Sequence, residues 1–266
     1  MSSITTDQGI LHYEVHGRGK PVILLHGWLG SWGLWQETMA YLGRSYRTYA
    51  LDFWGFGESG TKRSTYRVAD FVSLVDQFME QLGIVSAPLV GHSMGGTVSL
   101  AVALRYPERV RKVVIVGSPI VGSSLALPLK FAGYRPIALG LFNLFPAFRT
   151  VMRAASPFIC SAPGFSDMMD RDLSRTTLES FLLSIASLRC TDLRPELSSI
   201  HVPTMGMFGD CDNIVHPRQW QPLKAGIPSA RIERFPKAGH FIMLDEPPLF
   251  LEKLKNFLDD GTPVMR

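Results

Sequence analysis

The chain has 266 residues, 46% of them hydrophobic and 19% charged, which excludes a disordered chain. The length suits one large domain, or one domain carrying an insertion, better than two independent ones. The formal charge of +4 is too small and, on its face, too diffuse for a nucleic-acid partner.

The amino-terminal stretch Met1 to Gly9 is polar and lacks the basic and apolar regions of a secretory signal. Ile10 to His16 then alternates like a half-exposed early strand. Pro21 to His26 is a short apolar run of the buried-strand kind, and Tyr46 to Leu51 is a weaker candidate. Helical spacing follows over Val68 to Leu82, a strand over Pro88 to Gly91, a helix over Met94 to Tyr106 and a strand over Val110 to Gly117. Beyond residue 201 come strands at Pro203 to Phe208 and Ala230 to Phe235, with helices at Pro217 to Ala225 and Pro247 to Leu258. This alternation predicts an α/β fold, a mostly parallel central sheet with helices on both faces.

Residues 119–201 break the rhythm. They offer helical segments at Ile137 to Leu144 and Leu178 to Leu188 but no convincing strand, and they are punctuated by Pro128, Pro136, Pro146, Pro157 and Pro163. A connection that long is not a loop. The reading is a core formed by 1–118 and 202–266, with a helical cap inserted at 119–201. The longest apolar stretch, Pro136 to Phe148, is broken by Pro146 and falls short of the ~20 residues a membrane span needs. Three cysteines without a CxxC pair argue against a disulfide framework or a zinc site. The expected location is the cytoplasm, and no metal or cofactor is called for.

The sharpest chemical signal is Gly91-His92-Ser93-Met94-Gly95, followed by Gly96, at a strand-to-helix junction. A nucleophile on so sharp a turn needs small neighbours, which the glycines supply, and it stands exposed at the carboxyl end of the sheet. A serine hydroxyl is a weak nucleophile and needs a base. Of seven histidines, His240 follows the last predicted strand and so reaches the same sheet edge as Ser93. His92 adjoins the serine, but an elbow should point it elsewhere. His12 and His16 look structural, His26 looks like a loop anchor, and His201 and His216 remain surface or supporting positions. An acid must orient the base. Asp212 in Gly209-Asp-Cys-Asp212 is preferred, and Asp210 is the competitor, read as a loop-capping residue. The oxyanion of a tetrahedral intermediate needs preorganised donors. The backbone amides of Met94 and Trp28 are the candidates.

In these residues the chain resembles the α/β-hydrolase superfamily. His26-Gly27-Trp28, Asp52 to Ser59, Gly91 to Gly95, Gly209 to Asp212 and Gly239-His240 match its signature segments in order, from about residue 10 to 260. The resemblance implies an eight-stranded sheet, a cofactor-free Ser93-Asp212-His240 triad, a cap at the unmatched 119–201, and a structural turn built by Asp52 and Gly57. It disfavours chemistry that needs an aspartate nucleophile, because this chain has Ser93.

The leading expectation is hydrolysis of a carboxylic ester, or a lactone, of a small apolar substrate through an acyl-enzyme. Alternatives on the same residues are a carbon–carbon hydrolase of vinylogous diketones, a cofactor-free perhydrolase, and a small-molecule receptor. Trp28 and Trp54 lie on loops at the reactive edge, and Trp54, Phe142 and Phe145 are candidate substrate contacts. Between residues 119 and 166 stand Lys130, Arg135, Arg149 and Arg153 and no acidic residue, so this stretch can hold the whole formal excess of +4. The bland reading is snorkelling over a helical surface; the sharper one is contact with an anionic amphiphile or a membrane surface. No nucleic acid is expected as partner, and oligomeric state is not legible.

Overall fold

A computed structural model describes residues 2–60 and 65–261, with the backbone alone for 141 and 142. Eight strands form one sheet: β1 (Ser2–Thr6), β2 (Gly9–His16), β3 (Lys20–Leu25), β4 (Tyr46–Leu51), β5 (Ala87–His92), β6 (Val110–Val116), β7 (Thr204–Gly209) and β8 (Arg231–Phe235). Their spatial order is β1-β2-β4-β3-β5-β6-β7-β8. β2 runs antiparallel to β1 and β4, and every other pairing is parallel.

The central parallel strands β3, β5, β6 and β7 carry buried runs on both sides because helices cover both faces. On one face Ile23, Leu25, Leu89, Val113 and Ile115 join a core with helices α2 (Val68–Gln81) and α3 (Met94–Arg105). On the other, Val22, Leu24, Val90 and Val114 pack against α1 (Gln36–Leu42) and the carboxy-terminal helices. The odd and even residues of one strand thus face opposite layers, as its two-residue period requires.

Between β6 and β7 the chain forms α4 (Leu127–Ala132), α5 (Arg135–Asn143), α6 (Phe145–Ile159), α7 (Phe165–Ser174) and α8 (Leu178–Cys190). They are followed by α9 (Trp220–Gly226), α10 (Ile242–Asp245) and α11 (Pro247–Asp259). The helical segment stacks over the carboxyl ends of the strands: the loop after β3, the residues after β5 and the loop after β8 share a cavity with α6, α7 and α8. In an open parallel sheet that edge is where ligands bind.

Candidate active site

β5 ends at His92 and α3 begins at Met94, so Ser93 occupies the turn itself, with φ 51° and ψ −119°. A non-glycine residue there is strained and persists only where its surroundings fix it. They do: the Ser93 N–H donates to Val116 O at 2.8 Å, and the Ser93 carbonyl accepts from Gly96 and Thr97 N–H at 3.0 and 3.3 Å. The tightness explains the flanking glycines. A Cβ on Gly95 would lie 2.3 Å from Leu25 O, and one on Gly96 would lie 1.9 Å from Ser118 Oγ. Met94 opens α3, so its amide has no helical acceptor and is left for another.

Asp212 and His240 arrive on the loops after β7 and β8. His240 Nδ1–H donates to Asp212 Oδ2 at 2.8 Å, a bond that orients the ring. The acid is held from its other side, where Oδ1 accepts from the Ile214 and Val215 amides at 2.8 and 2.9 Å. Asp210 turns away to pair with Arg234 at 2.8 Å. Ser93 and His240 are both buried and line one cavity.

Two further histidines hold this framework. His26 Nδ1–H donates to Gly27 O at 2.7 Å and Nε2 accepts from Phe53 N–H at 3.0 Å. Burial pulls its pKa down, so it stays neutral and ties the loop after β3 to the loop after β4. His92 does not point elsewhere, as the elbow argument expected. Its ring lines the cavity 4.6 Å from the His240 ring, and Nε2–H donates to His240 O at 3.1 Å. Burial first, then the neighbouring His240, depresses its pKa well below the usual imidazole range.

Asp52 makes the expected turn. Its carboxylate accepts from Trp32 N–H, Glu58 N–H and His12 Nδ1–H at 2.6, 2.9 and 2.8 Å, and Gly57, at φ +55°, leaves room for it.

The cavity is lined by Gly27 to Gly30, Leu125, Leu129, Ile185, Leu188 and Ile214, and by Met168, Met169, Leu173, Phe165 and Phe241. Trp28 lies on it, with its indole N–H donating to Phe181 O at 3.2 Å and its ring 4.7 Å from that of Phe181. Trp54 does not line it. Fully buried at 0% exposure, Trp54 belongs to the core beneath and donates its indole N–H to Thr6 Oγ1 at 3.0 Å. An apolar ring next to a sheet layer is drawn into that layer. Phe145 also stands off the cavity, 6.4 Å from Phe148 within α6. The side chain of Phe142 lies outside the described residues.

Asp172 is a cavity residue that the motifs gave no reason to single out. Its signal was present: Phe165, Met168, Met169, Asp172 and Leu173 keep the spacing of one helical face. An acid in an apolar stripe marks a buried carboxyl.

The α/β-hydrolase fold family model matches residues 20–189. The chain belongs to the α/β-hydrolase family. Among curated relatives of this α/β-hydrolase, a 2-hydroxy-6-oxo-6-phenylhexa-2,4-dienoate hydrolase of Burkholderia cepacia is 29% identical over 96% of this chain and 94% of its own. A pimeloyl-[acyl-carrier protein] methyl ester esterase of Vibrio atlanticus is 25% identical over 93% and 97%. Among solved structures, a bromoperoxidase from Bacillus anthracis superimposes with a TM-score of 0.85 at 26% identity, over 97% of this chain and 100% of the other.

Proposed function

We propose that this hydrolase cleaves a carboxylic ester or lactone of a small, largely apolar substrate, with 119–201 as its cap. The observation that carries the reading is one apolar cavity into which Ser93 and the Asp212-bound His240 both open. In this mechanism the Ser93 oxygen attacks the carbonyl carbon while His240 Nε2 takes the hydroxyl proton. The Met94 and Trp28 amides hold the oxyanion. Collapse breaks the bond to the alcohol oxygen, which leaves with the proton from His240. Water, deprotonated by His240, then attacks the acyl carbon, and collapse breaks the acyl–Ser93 bond as His240 returns the proton to the Ser93 oxygen and the acid leaves. Asp212 fixes the ring and stabilises the imidazolium. The helices over the site exclude water from the first half of this cycle.

The test is stoichiometric inactivation by a phosphonate ester. Wild type loses activity on short-chain esters with one label per chain, and Ser93→Ala neither labels nor hydrolyses. Labelling of Ser93→Ala, or turnover by it at the wild-type rate, rejects the mechanism.

The Burkholderia relative supports a second reading, hydrolysis of a carbon–carbon bond in a dienoate. A dienoate carries a carboxylate, which calls for a cation or fixed donors in the site. Among the described residues no lysine, arginine or asparagine lines the cavity, and Asp172 would repel the anion. That favours the ester reading. Comparing turnover of a phenyl-substituted dienoate with that of a matched alkyl ester separates the two.

A further inference from the structure

The cavity over Ser93 is apolar except for its histidines and one acid. Asp172 projects from α7 and is 3% exposed. Its Oδ1 accepts the Ser31 hydroxyl proton at 2.8 Å, and the Ser31 oxygen in turn accepts from Gly33 N–H at 3.2 Å. Arg171 reaches only to 3.7 Å of the same oxygen, from a half-exposed position. No hydrogen-bond donor among the described residues reaches the second oxygen, Oδ2. A carboxyl oxygen without a protein donor, on a residue that lines the cavity, is open to a donor that enters there.

Pure structure does not account for the acid. Ser31 needs only an acceptor, and a neutral amide would supply one without burying a charge. Burial pushes the Asp172 carboxyl up to about 6, with the Ser31 bond and Arg171 opposing. Ionised, the group therefore costs stability. The acid lines the cavity together with Gly30 and Leu34 from the loop after β3, and with Met168, Met169 and Leu173 from its own helix. Leu125, Leu129, Ile185 and Leu188 add only apolar side chains to the lining, so Asp172 is its one acid among the described residues.

We propose that Asp172 is a specificity-determining residue whose free oxygen receives a hydrogen-bond donor of the substrate, a hydroxyl or an ammonium, remote from the scissile carbonyl. The substrate class is then an ester that is apolar at one end and donor-bearing at the other. An ester ending in a second carboxylate is rejected, because two anions would share one largely apolar pocket. The inference rests on the ester reading of Ser93 for its chemistry but not for its binding test.

Binding is measured calorimetrically in Ser93→Ala protein, with and without Asp172→Asn. The ligands are four esters of equal length ending in methyl, hydroxyl, ammonium or carboxylate. Asparagine keeps an acceptor for Ser31 and removes the charge. With Asp172 present, the hydroxyl or the ammonium ester binds about tenfold or more tighter than the carboxylate ester. Asp172→Asn reduces that ratio about tenfold. Loss in the hydroxyl arm or in the ammonium arm supports the proposal and names the donor. A ratio unchanged within twofold overturns it, even if Asp172→Asn shifts thermal stability, as a purely structural acid would. Turnover of the methyl ester by wild type against Ser93→Ala decides the ester reading separately. If that fails, the binding ratios still judge Asp172.

Discussion

A buried imidazole that stays neutral can position a partner without competing for its proton. His92 meets that condition, since its Nε2–H is committed to the His240 carbonyl and burial depresses its pKa. It is a positioning residue for the proposed base. His92→Phe keeps the ring but loses the bond, and is expected to lower kcat about tenfold with little change in KM or melting temperature. A fall in KM alone would contradict it. The two aspartates of the β7 loop give a sharper contrast. Asp212→Asn should cost about 10³- to 10⁴-fold in kcat. Asp210→Asn, which removes only the Arg234 pair, should stay within about twofold. Asp172 makes the opposite kind of forecast. Unfolded, its carboxyl ionises near 3.9; folded, near about 6. Between those values the native state binds a proton that the unfolded state lacks, so stability falls as pH rises through the window. Asp172→Asn is therefore expected to stabilise the protein at pH 8 by about 1–3 kcal/mol, with the gain vanishing toward pH 4. Urea melts at both pH values decide it. Ser93, Asp212 and His240 were legible because each sits on a short loop after a recognisable strand. Asp172 was not, because the sequence reading placed no helix at 165–174 in which its stripe position would show.

At the scale of elements, Lys112 shows how a strand end holds a helix end. From β6 its ammonium donates to Phe257 O at 2.6 Å, to Leu258 O at 3.2 Å and to the Asp260 carbonyl, capping the last turn of α11. Those carbonyls have no helical donors, and the helix dipole favours a cation there. Lys112→Met keeps the apolar stem and is expected to destabilise the fold by about 2 kcal/mol. A loss under ~0.5 kcal/mol in urea unfolding would remove the cap from the account. The same capping logic explains which elements the sequence hid. Pro128, Pro136 and Pro146 looked like interruptions; they stand in the first turns of α4, α5 and α6, where a missing N–H costs nothing. Pro157 lies inside α6 and obscured that helix. β1 escaped because Ser2 to Thr6 is polar, as an outer strand with only β2 beside it can be. The inner strands were readable because burial on two faces leaves only apolar runs.

Across the whole molecule, folding redistributes the charge that the chain order had gathered into 119–166. Arg149 forms a two-bond pair with Asp170 at 2.9 and 2.7 Å, and Arg153 reaches Asp167 at 2.7 Å. Both acids come from α7, just past the stretch without acids, so half of its basic side chains are neutralised across a helix pair. Among the described residues Lys130 and Arg135 have no ion pair, and exposed Leu127, Phe131, Tyr134 and Ile137 stand beside them on α4, on α5 and in the turn between. Any contact with an anionic amphiphile would rest on this patch rather than on all four cations. Each cation near an anionic surface is worth about 1 kcal/mol, so losing two should weaken binding roughly thirtyfold. Sedimentation with phosphatidylserine-containing vesicles at low salt is the measurement. Lys130→Ser/Arg135→Ser should reduce the bound fraction, while Arg149→Ser/Arg153→Ser should change it little and instead speed hydrogen exchange in α6. If both double variants bind like wild type, or if neutral vesicles bind equally well, the patch is an ordinary helical surface whose long side chains cover apolar neighbours.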